Sequence, residues 1–355
     1  MSLNKRLIET GGDTLPPGPS SDAFTVKLYV GTRTAQSITG VGFKSDLIWI
    51  KQRGGTNPHG LWDSTRGAGP YLTPPSTDAQ TGNSGDLMGS FDTDGFQVNS
   101  NYLQYTAHDN TNKNGANSDY VAWCWRANEG TTSSNTDGSV TSTIQVMADA
   151  GFSIIKYVGD NGGIGGTGTV GHGLGYTPRF IIGKSSSATN SWIVYLNDGT
   201  DYWHGYLGGT SALTKNASNT QVGTPNETTI GLSHVGTNQS GVDYMYYAWT
   251  PRSGYSSFGS YSGGSTGSSN EITIGFQPDW ILIRRTDVGD DWTIIDSVRG
   301  DGASSKRLIA NTNEAEKSAT SIWFPTSTGF YFSGTGDSYN KSGGTYIYAA
   351  FKIVS

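Results

Sequence analysis

The chain of 355 residues contains 51 glycines, 12% aromatic residues and only 15% charged residues. Disordered chains are poor in aromatics and rich in charge, so this composition predicts folded units with apolar cores, and the length suggests two or three of them. The net charge of −6, with no basic cluster beyond Lys5 and Arg6, argues against a nucleic-acid partner, because phosphate backbones are held by basic patches.

The chain opens with a segment that is expected to form an extended arm, residues 1–23. Its glycine pair and its Pro-Pro-Gly-Pro stretch do not continue a strand or a helix. The arm lacks the apolar stretch of a secretion signal, and no run in the chain approaches the roughly 20 apolar residues that span a bilayer. We therefore expect neither signal-dependent export nor membrane insertion. The residues expected to anchor the arm on neighbouring proteins are Leu3, Lys5, Arg6, Leu7 and Ile8.

Three sequence blocks then recur in the same order, about 100 residues apart, as in repeat architectures. They are four to ten residues long, rich in β-branched and aromatic residues, and bounded by Gly, Pro, Asn, Asp or Ser, which predicts strands. No window keeps the spacing of an amphipathic helix. The first block occupies 28–31, 156–159 and 260–263, the second 42–51, 175–184 and 275–284, and the third 120–125, 244–249 and 346–351.

The repeats predict an all-β fold of three tandem β-sandwich units, jelly-roll or concanavalin-like, each of about 100 residues. Residues 1–23 are the anchoring arm, and the connecting segment, 129–151, holds an apolar stretch over 138–146 that predicts an added strand. The three units are assigned to residues 24–128, 152–253 and 254–355.

A pentad recurs in two units and offers the most tempting chemistry. It reads Asp-Ser-Thr-Arg-Gly at 63–67 and Asp-Ser-Val-Arg-Gly at 296–300, whereas the middle unit has Leu-Asn-Asp-Gly at 196–199. Asp and Ser side chains hydrogen-bond turn backbone, and the arginine is placed to pair with the carboxylate three residues before it. We interpret the pentad as part of the fold. A glycosidase needs two particular carboxylates across one cleft, so we expect no catalytic residues and no enzyme.

Other candidate sites are weak. The glycine-rich stretch 160–168 precedes a predicted strand, not the helix that a nucleotide-binding turn requires. The five histidines have no metal-site spacing, and the half calcium loop at 92–95 is a predicted turn before the strand at Phe96. Cys124 lies in an apolar stretch and is predicted to be a small buried hydrophobe. We expect neither a metal nor a cofactor.

One aromatic cluster distinguishes the middle unit, within residues 201–207. Exposed aromatic rings stack on the apolar faces of sugars, so a glycan-contacting surface is one interpretation. The other is a strand edge that packs between units. Both remain open from the sequence. The candidate glycan-binding residues are Tyr202, Trp203, His204 and Tyr206.

The blocks at 28–31, 42–51, 63–67, 94–96 and 120–125 resemble a repeat family of uncharacterised virion proteins of marine bacteriophages. The resemblance covers nearly all of the chain after residue 24, in three copies, and the opening residues 4–12 resemble the arm that precedes lectin-like domains in such phages. The middle unit departs most, because it lacks the pentad. The family implies a concanavalin-like or related sandwich and no established catalytic residues.

The resemblance implies a virion structural protein that is assembled in the host cytoplasm and released by lysis. We expect a tail-fibre or adhesion module that contacts host surface polysaccharide and binds other head or tail proteins through its arm. A capsid decoration protein of the phage head is the close alternative, and a polysaccharide-degrading tailspike enzyme is the rival from another class. Phage surface proteins are commonly trimeric, so a homotrimer is expected, unless three internal units imitate a trimer within one chain.

Overall fold

The computed structural model describes residues 15–32, 34–74, 76–81, 87–99, 118–160, 168–217, 221–264, 266–318 and 322–354. The predicted all-β class is confirmed: 45% of the residues lie in strands and 4% in helices. All strand pairs within the sheets are antiparallel, as short connections between neighbouring strands allow. The five predicted anchoring residues, Leu3 to Ile8, lie outside the described residues.

The first strand set forms a four-stranded sheet, in the order β1-β7-β3-β4, and a three-stranded sheet, in the order β2-β6-β5. Its strands are β1 (Phe24–Val30), β2 (Gln36–Thr39), β3 (Leu47–Gln52), β4 (Gly60–Asp63), β5 (Met88–Asp92), β6 (Gly95–Val98) and β7 (Asp119–Trp125).

The second strand set forms an eight-stranded and a three-stranded sheet. Its elements are β8 (Ser133–Asn135), β9 (Ser142–Met147), β10 (Phe152–Val158), β11 (Gly168–Gly171), β12 (Phe180–Ser185), β13 (Ile193–Asn197), β14 (Tyr202–Tyr206), β15 (Thr214–Lys215), β16 (Val222–Gly223), β17 (Thr229–Leu232), α1 (Val235–Asn238) and β18 (Asp243–Trp249). The sheet orders are β15-β14-β13-β12-β18-β10-β9-β8 and β11-β17-β16. The strand predicted in the connecting segment is confirmed as β9, which pairs with the edge of β10.

The third strand set forms a six-stranded and a three-stranded sheet. Its elements are β19 (Ser256–Ser262), a 3₁₀ turn (Ser268–Asn270), β20 (Ile272–Thr273), β21 (Trp280–Arg285), β22 (Trp292–Asp296), a second 3₁₀ turn (Gly302–Ser304), β23 (Lys306–Ile309), β24 (Lys317–Ser318), β25 (Trp323–Pro325), β26 (Gly329–Phe332), α2 (Asp337–Asn340) and β27 (Thr345–Phe351). The sheet orders are β19-β27-β21-β22-β23-β24 and β20-β26-β25.

The three strand sets repeat one topology. In each large sheet β1, β10 or β19 lies beside the last strand of its set, as in β1-β7-β3-β4, β10-β18-β12-β13 and β19-β27-β21-β22. The register repeats as well, because Trp125, Trp249 and Phe351 each stand at the end of that last strand, opposite Leu47, Phe180 and Trp280. Residues at these matching positions are called equivalent below.

Alternation along the strands divides the apolar side chains between two kinds of core. Because successive side chains point to opposite faces of a sheet, one face of each large sheet packs against the three-stranded sheet of its own set. The other face joins a central core that all three sets share. Trp125, Trp249 and Phe351 meet in that central core, with ring centroids 5.9 to 6.0 Å apart in each pair. The three sets therefore surround a common aromatic centre.

Candidate functional site

The contacts between consecutive strand sets, here called seams, repeat around the molecule. In the seam between sets 1 and 2, the Trp192 Nε1–H donates to the Thr73 carbonyl at 3.0 Å. In the seam between sets 2 and 3, the equivalent Trp292 donates to Tyr206 at 3.0 Å. The position equivalent to these tryptophans in set 1 is His59, whose Nε2 lies 3.1 Å from the Ile309 carbonyl of set 3. The seams thus run from set 1 to 2, from 2 to 3, and from 3 back to 1.

Backbone hydrogen bonds close the same ring. The amide of Gln80 donates to Ser186 at 2.9 Å, and the amide of Leu213 donates to Thr286 at 3.0 Å. The amide of Glu316 donates to the Arg53 carbonyl at 2.7 Å. Arg53 also pairs with the Glu316 carboxylate through two parallel bonds of 2.8 and 2.9 Å, which joins residues 263 positions apart.

His59 is held neutral inside its seam. Its Nε2 faces two carbonyl oxygens, Ile309 and Thr312, so this nitrogen carries the proton. Its Nδ1 accepts from Trp49 Nε1 at 2.9 Å. Burial, helped by the charge of Lys51, lowers the pKa of His59 to about 3. Both ring nitrogens are therefore committed to the fold, and His59 does not act as a general base near neutral pH.

The pentads lie in two of the seams, and their predicted internal ion pair is confirmed. Arg66 Nε donates to Asp63 Oδ2 at 2.6 Å, and both side chains are almost fully buried. The same carboxylate accepts from the Tyr247 hydroxyl of set 2 at 2.7 Å. Burial raises the pKa of Tyr247 well above its ordinary value, and the neighbouring Asp63 charge raises it further, so the hydroxyl stays protonated and donates.

The second pentad repeats this arrangement between sets 3 and 1. Arg299 Nε donates to Asp296 Oδ2 at 2.6 Å, and both side chains are fully buried. Trp123 Nε1 of set 1 donates to the same oxygen at 3.0 Å. Arg299 also reaches Glu316 at 3.2 Å. Burial alone would raise the pKa of the Glu316 carboxyl, but the bonds and charges of Arg53 and Arg299 lower it overall.

The remaining seam uses an apolar version of the same position. Leu196 stands where the other sets have the pentad aspartate, and Ala349 stands where the other sets have the donor Tyr247 or Trp123. Leu196 and Ala349 both belong to the central core. Because the carboxylate and its donor are replaced together, neither of these two groups is left buried without the other. This pairing explains why the middle unit lacks the pentad.

Two further cations cross the seams. Lys184 Nζ donates to the Thr77 carbonyl of set 1 at 3.0 Å, and burial lowers its pKa to about 8. Arg284, at the equivalent position, donates through Nη2 to the Ser211 carbonyl of set 2 at 2.7 Å. These contacts join segments more than 70 residues apart, and the sequence analysis did not anticipate them.

The aromatic cluster of the middle unit forms strand β14, whose two faces differ. Trp203 is only 2% exposed and packs in the central core, so its ring offers no face to a ligand and the sequence interpretation of Trp203 needs correction. The cause is strand alternation, which turns Trp203 away from its neighbours in the sequence. Tyr202, His204 and Tyr206 share the opposite face, on which Tyr206 is 42% exposed.

This second face of β14 combines an exposed ring with two buried polar atoms that lack a hydrogen-bond partner among the described residues. The ring of His204 packs between Tyr195 and Tyr202, at centroid distances of 5.1 and 5.5 Å. Burial lowers the pKa of His204 to about 4. Gln221 Nε2 donates to the Tyr206 hydroxyl. Among the described residues, the buried atoms His204 Nδ1 and Gln221 Oε1 have no hydrogen-bond partner. Gln221 belongs to a polar turn that carried no signal in the sequence.

The other residues singled out in the sequence serve the fold. Cys124 is a buried free thiol, as predicted, and burial raises its pKa to about 12. Asp94 caps the turn before Gly42 by accepting two backbone amides, at 2.7 and 3.0 Å. His172 Nδ1 accepts the amide of Leu174 at 3.1 Å, and burial lowers its pKa. Within the described ranges, no group of three or more His, Cys, Asp or Glu side chains could hold a metal ion.

The described part of the arm contacts the same chain. Pro17 forms a parallel bridge with Ser253 at the start of set 3. The Gly18 amide donates to the Ser253 carbonyl at 3.0 Å, and the Ser253 amide donates to Pro16 at 2.9 Å. In Gly18, a Cβ would stand 2.6 Å from the Tyr255 Cβ, which explains the glycine there. Residues 16–18 therefore link the beginning of the chain to its last strand set.

Fold and site together define an all-β protein of antiparallel sheets with a partly exposed aromatic strand. The chain belongs to the family described as a domain of unknown function (DUF7483), which matches residues 19–353. That match runs through all three strand sets, so the family unit is the whole ring. No curated protein and no solved structure matches the chain. No helix within the described ranges has the length and apolar character needed to cross a membrane.

Proposed function

We propose that the chain is a structural module on the surface of a phage particle, built from three tandem β-sandwich units, and that it adheres to host surface glycans through β14. The sandwich assignment rests on the repeated pair of sheets in each strand set. The seams support a structural role, since the buried carboxylates of Asp63 and Asp296 each accept a hydrogen bond from another strand set.

One observation carries the adhesion function. The exposed ring of Tyr206 lies beside two buried polar atoms without partners among the described residues, His204 Nδ1 and Gln221 Oε1. An unpaired buried polar atom costs about 1 to 3 kcal/mol, so a ligand that forms hydrogen bonds at this place is favoured. Sugars offer both an apolar ring face for the tyrosine and hydroxyl groups that donate and accept hydrogen bonds.

A glycan array tests this function directly. The intact chain is expected to bind a subset of bacterial surface polysaccharides, and Tyr206→Ala is expected to weaken that binding tenfold or more. Tyr176→Ala is the matched control, because Tyr176 is similarly exposed, at 49%, and lies in the loop before β12. Equal binding by both variants and the unaltered chain would refute the site at β14.

An assay of reducing ends on the bound polysaccharide distinguishes adhesion from cleavage. The adhesion proposal expects no new reducing ends after prolonged incubation. Their release would establish the polysaccharide-degrading alternative instead. Antibody labelling of intact particles then tests the location: label on tail fibres agrees with adhesion, label on the head agrees with decoration, and absence of label refutes the virion role.

The proposal favours one chain as the complete module over a homotrimer. All three seams are formed within the chain, and the surfaces that would join three separate units are already paired. Light scattering on the purified protein is expected to give the mass of a single chain. A trimer mass would contradict this part of the proposal.

A further inference from the structure

A second surface, on strand set 3, carries aromatic residues that the fold does not use. Phe324 on β25 and Tyr331 on β26 are cross-strand partners on the face of the small sheet opposite its core. Their rings stack with centroids 4.9 Å apart and planes inclined by only 5°. Both are partly exposed. Trp323 and Phe332, the neighbouring pair, point into the core instead.

The equivalent positions in the other sets have no such rings. In set 2 the corresponding pair is Gly223 and Gly231, and in set 1 the position is taken by Ser90 and Gln97. Since two of the three sets form the same sheet without aromatics there, packing does not require the pair. An aromatic pair retained on a solvent face is typical of a binding surface.

A basic pair lies at the neighbouring edge of the same set. Arg307 on β23 stands directly opposite Lys317 on β24. Like charges at directly opposite positions destabilise a sheet, so an anion between them is favoured. Arg307 Nε is buried and has no hydrogen-bond partner among the described residues. Lys317 pairs with Glu314 at 2.7 Å, but both side chains are about half exposed, so this ion pair contributes little.

Short contacts bring the aromatic and basic pairs to one edge. The Ser305 hydroxyl, two residues before Arg307, donates to the Trp323 carbonyl at 3.2 Å and accepts its amide at 3.3 Å. Phe324 follows Trp323 directly, and a Cβ on Gly302 would lie 3.2 Å from its ring. The basic strand and the aromatic pair therefore flank the same short turn, residues 302–304.

We propose that this edge of set 3 binds an acidic polysaccharide, with sugar rings packed on Phe324 and Tyr331 and an anionic group held by Arg307 and Lys317. Arg307 and Lys317 are positively charged, whereas the whole chain has a net charge of −6. The basic pair therefore attracts an anion locally. The aromatic pair selects a polymer of sugars over a free anion, since it adds an apolar surface that a small ion cannot use. This site does not depend on the surface at β14.

The test measures binding of the whole chain to immobilised hyaluronan, dextran sulfate, neutral dextran and single-stranded DNA. We expect binding to hyaluronan or dextran sulfate, which distinguishes carboxylate from sulfate as the anionic group, and no binding to neutral dextran. Arg307→Gln and Phe324→Ser are each expected to weaken this binding tenfold or more. Raised salt is expected to weaken it as well, because the Lys317 side chain is about half exposed to solvent.

Matched variants make the test specific. Lys306→Gln removes the same charge one residue away, on the opposite face of β23, and is expected to leave binding within twofold. Tyr206→Ala is likewise expected to leave it unchanged, so failure of this site and failure of the β14 site are distinguishable. The proposal is overturned if no acidic polysaccharide binds, if Arg307→Gln binds as well as the unaltered chain, or if single-stranded DNA binds through Arg307 more tightly than either polysaccharide. Equal urea midpoints for the variants exclude unfolding as the cause.

Discussion

Removing the Arg66 guanidinium by Arg66→Met isolates the buried charge of one seam. The Asp63 carboxylate is fully buried and accepts from Arg66 Nε at 2.6 Å, from the Arg66 amide at 2.9 Å and from the Tyr247 hydroxyl at 2.7 Å. The substitution leaves two of these bonds but no countercharge. Loss of one partner of a buried ion pair costs about 3 to 5 kcal/mol, because the remaining charge stays desolvated.

The seam between sets 2 and 3 suggests which further substitutions would restore the stability lost in Arg66→Met. Because Leu196 occupies the aspartate position there, the triple variant Asp63→Leu, Arg66→Met and Tyr247→Phe removes the carboxylate together with both of its side-chain donors. Replacing a whole buried ion pair by apolar residues of similar volume is often neutral, so the triple variant is expected to unfold within about 2 kcal/mol of the unaltered chain.

Equilibrium unfolding in urea, followed by tryptophan fluorescence, measures both free energies. Arg285→Met is the matched control, since its partner Asp287 is 36% exposed and such surface pairs are worth about 1 kcal/mol or less. A loss below about 1 kcal/mol for Arg66→Met, or a triple variant less stable than the single one, would refute the reasoning that this pair is a desolvated part of the seam.

Two other predictions concern stability. Below about pH 6.5 the unfolded chain protonates its histidines, whereas burial lowers the folded-state pKa of His59 to about 3 and of His204 to about 4. The stability that comes from the neutral histidines is therefore present above pH 6.5 and is lost as the pH falls, by about 2 kcal/mol for each of these two residues at pH 5. His59→Gln is expected to reduce the loss of stability between pH 7.5 and 5, measured by urea unfolding, by about 2 kcal/mol. Gly95 has a φ of +134°, and a Cβ there would lie 1.9 Å from the Ile38 carbonyl oxygen. Gly95→Ala is therefore expected to lower the free energy of unfolding by more than about 1 kcal/mol. A Cβ on Gly54 would meet open space, so Gly54→Ala is the control and is expected to lower it by less than about 0.5 kcal/mol.

Local patterns in the sequence were sufficient for the strands and their repetition. The third block predicted β7, β18 and β27, because runs such as Tyr120 to Trp125 combine β-forming residues with bounding turns. The ion pair within each pentad was also predictable, since Asp63 and Arg66 are only three residues apart. The 3.6-residue periodicity of helices was absent, and helices are correspondingly short in the described ranges.

The seams could not be predicted, because they join residues far apart in the chain. Nothing near Asp63 indicates that Tyr247, 184 positions away, donates to it. The orientation of Trp203 was missed for a different reason. The glycan-contacting interpretation places the neighbouring rings on one surface, whereas a strand divides them between two faces. Gln221 was missed because a lone glutamine in a turn carries no pattern.

Three strand sets close into a single ring around one aromatic core. The most direct measurement is to insert a protease site between Thr131 and Thr132, two exposed residues of the segment before β8, and to cut the folded protein. Set 1 is held to the other sets by the Arg53–Glu316 and Tyr247–Asp63 contacts and by the shared core. The two fragments are therefore expected to elute together, with the mass of the uncut chain, and to separate only in denaturant. Separation of the fragments under native conditions would contradict the closed ring.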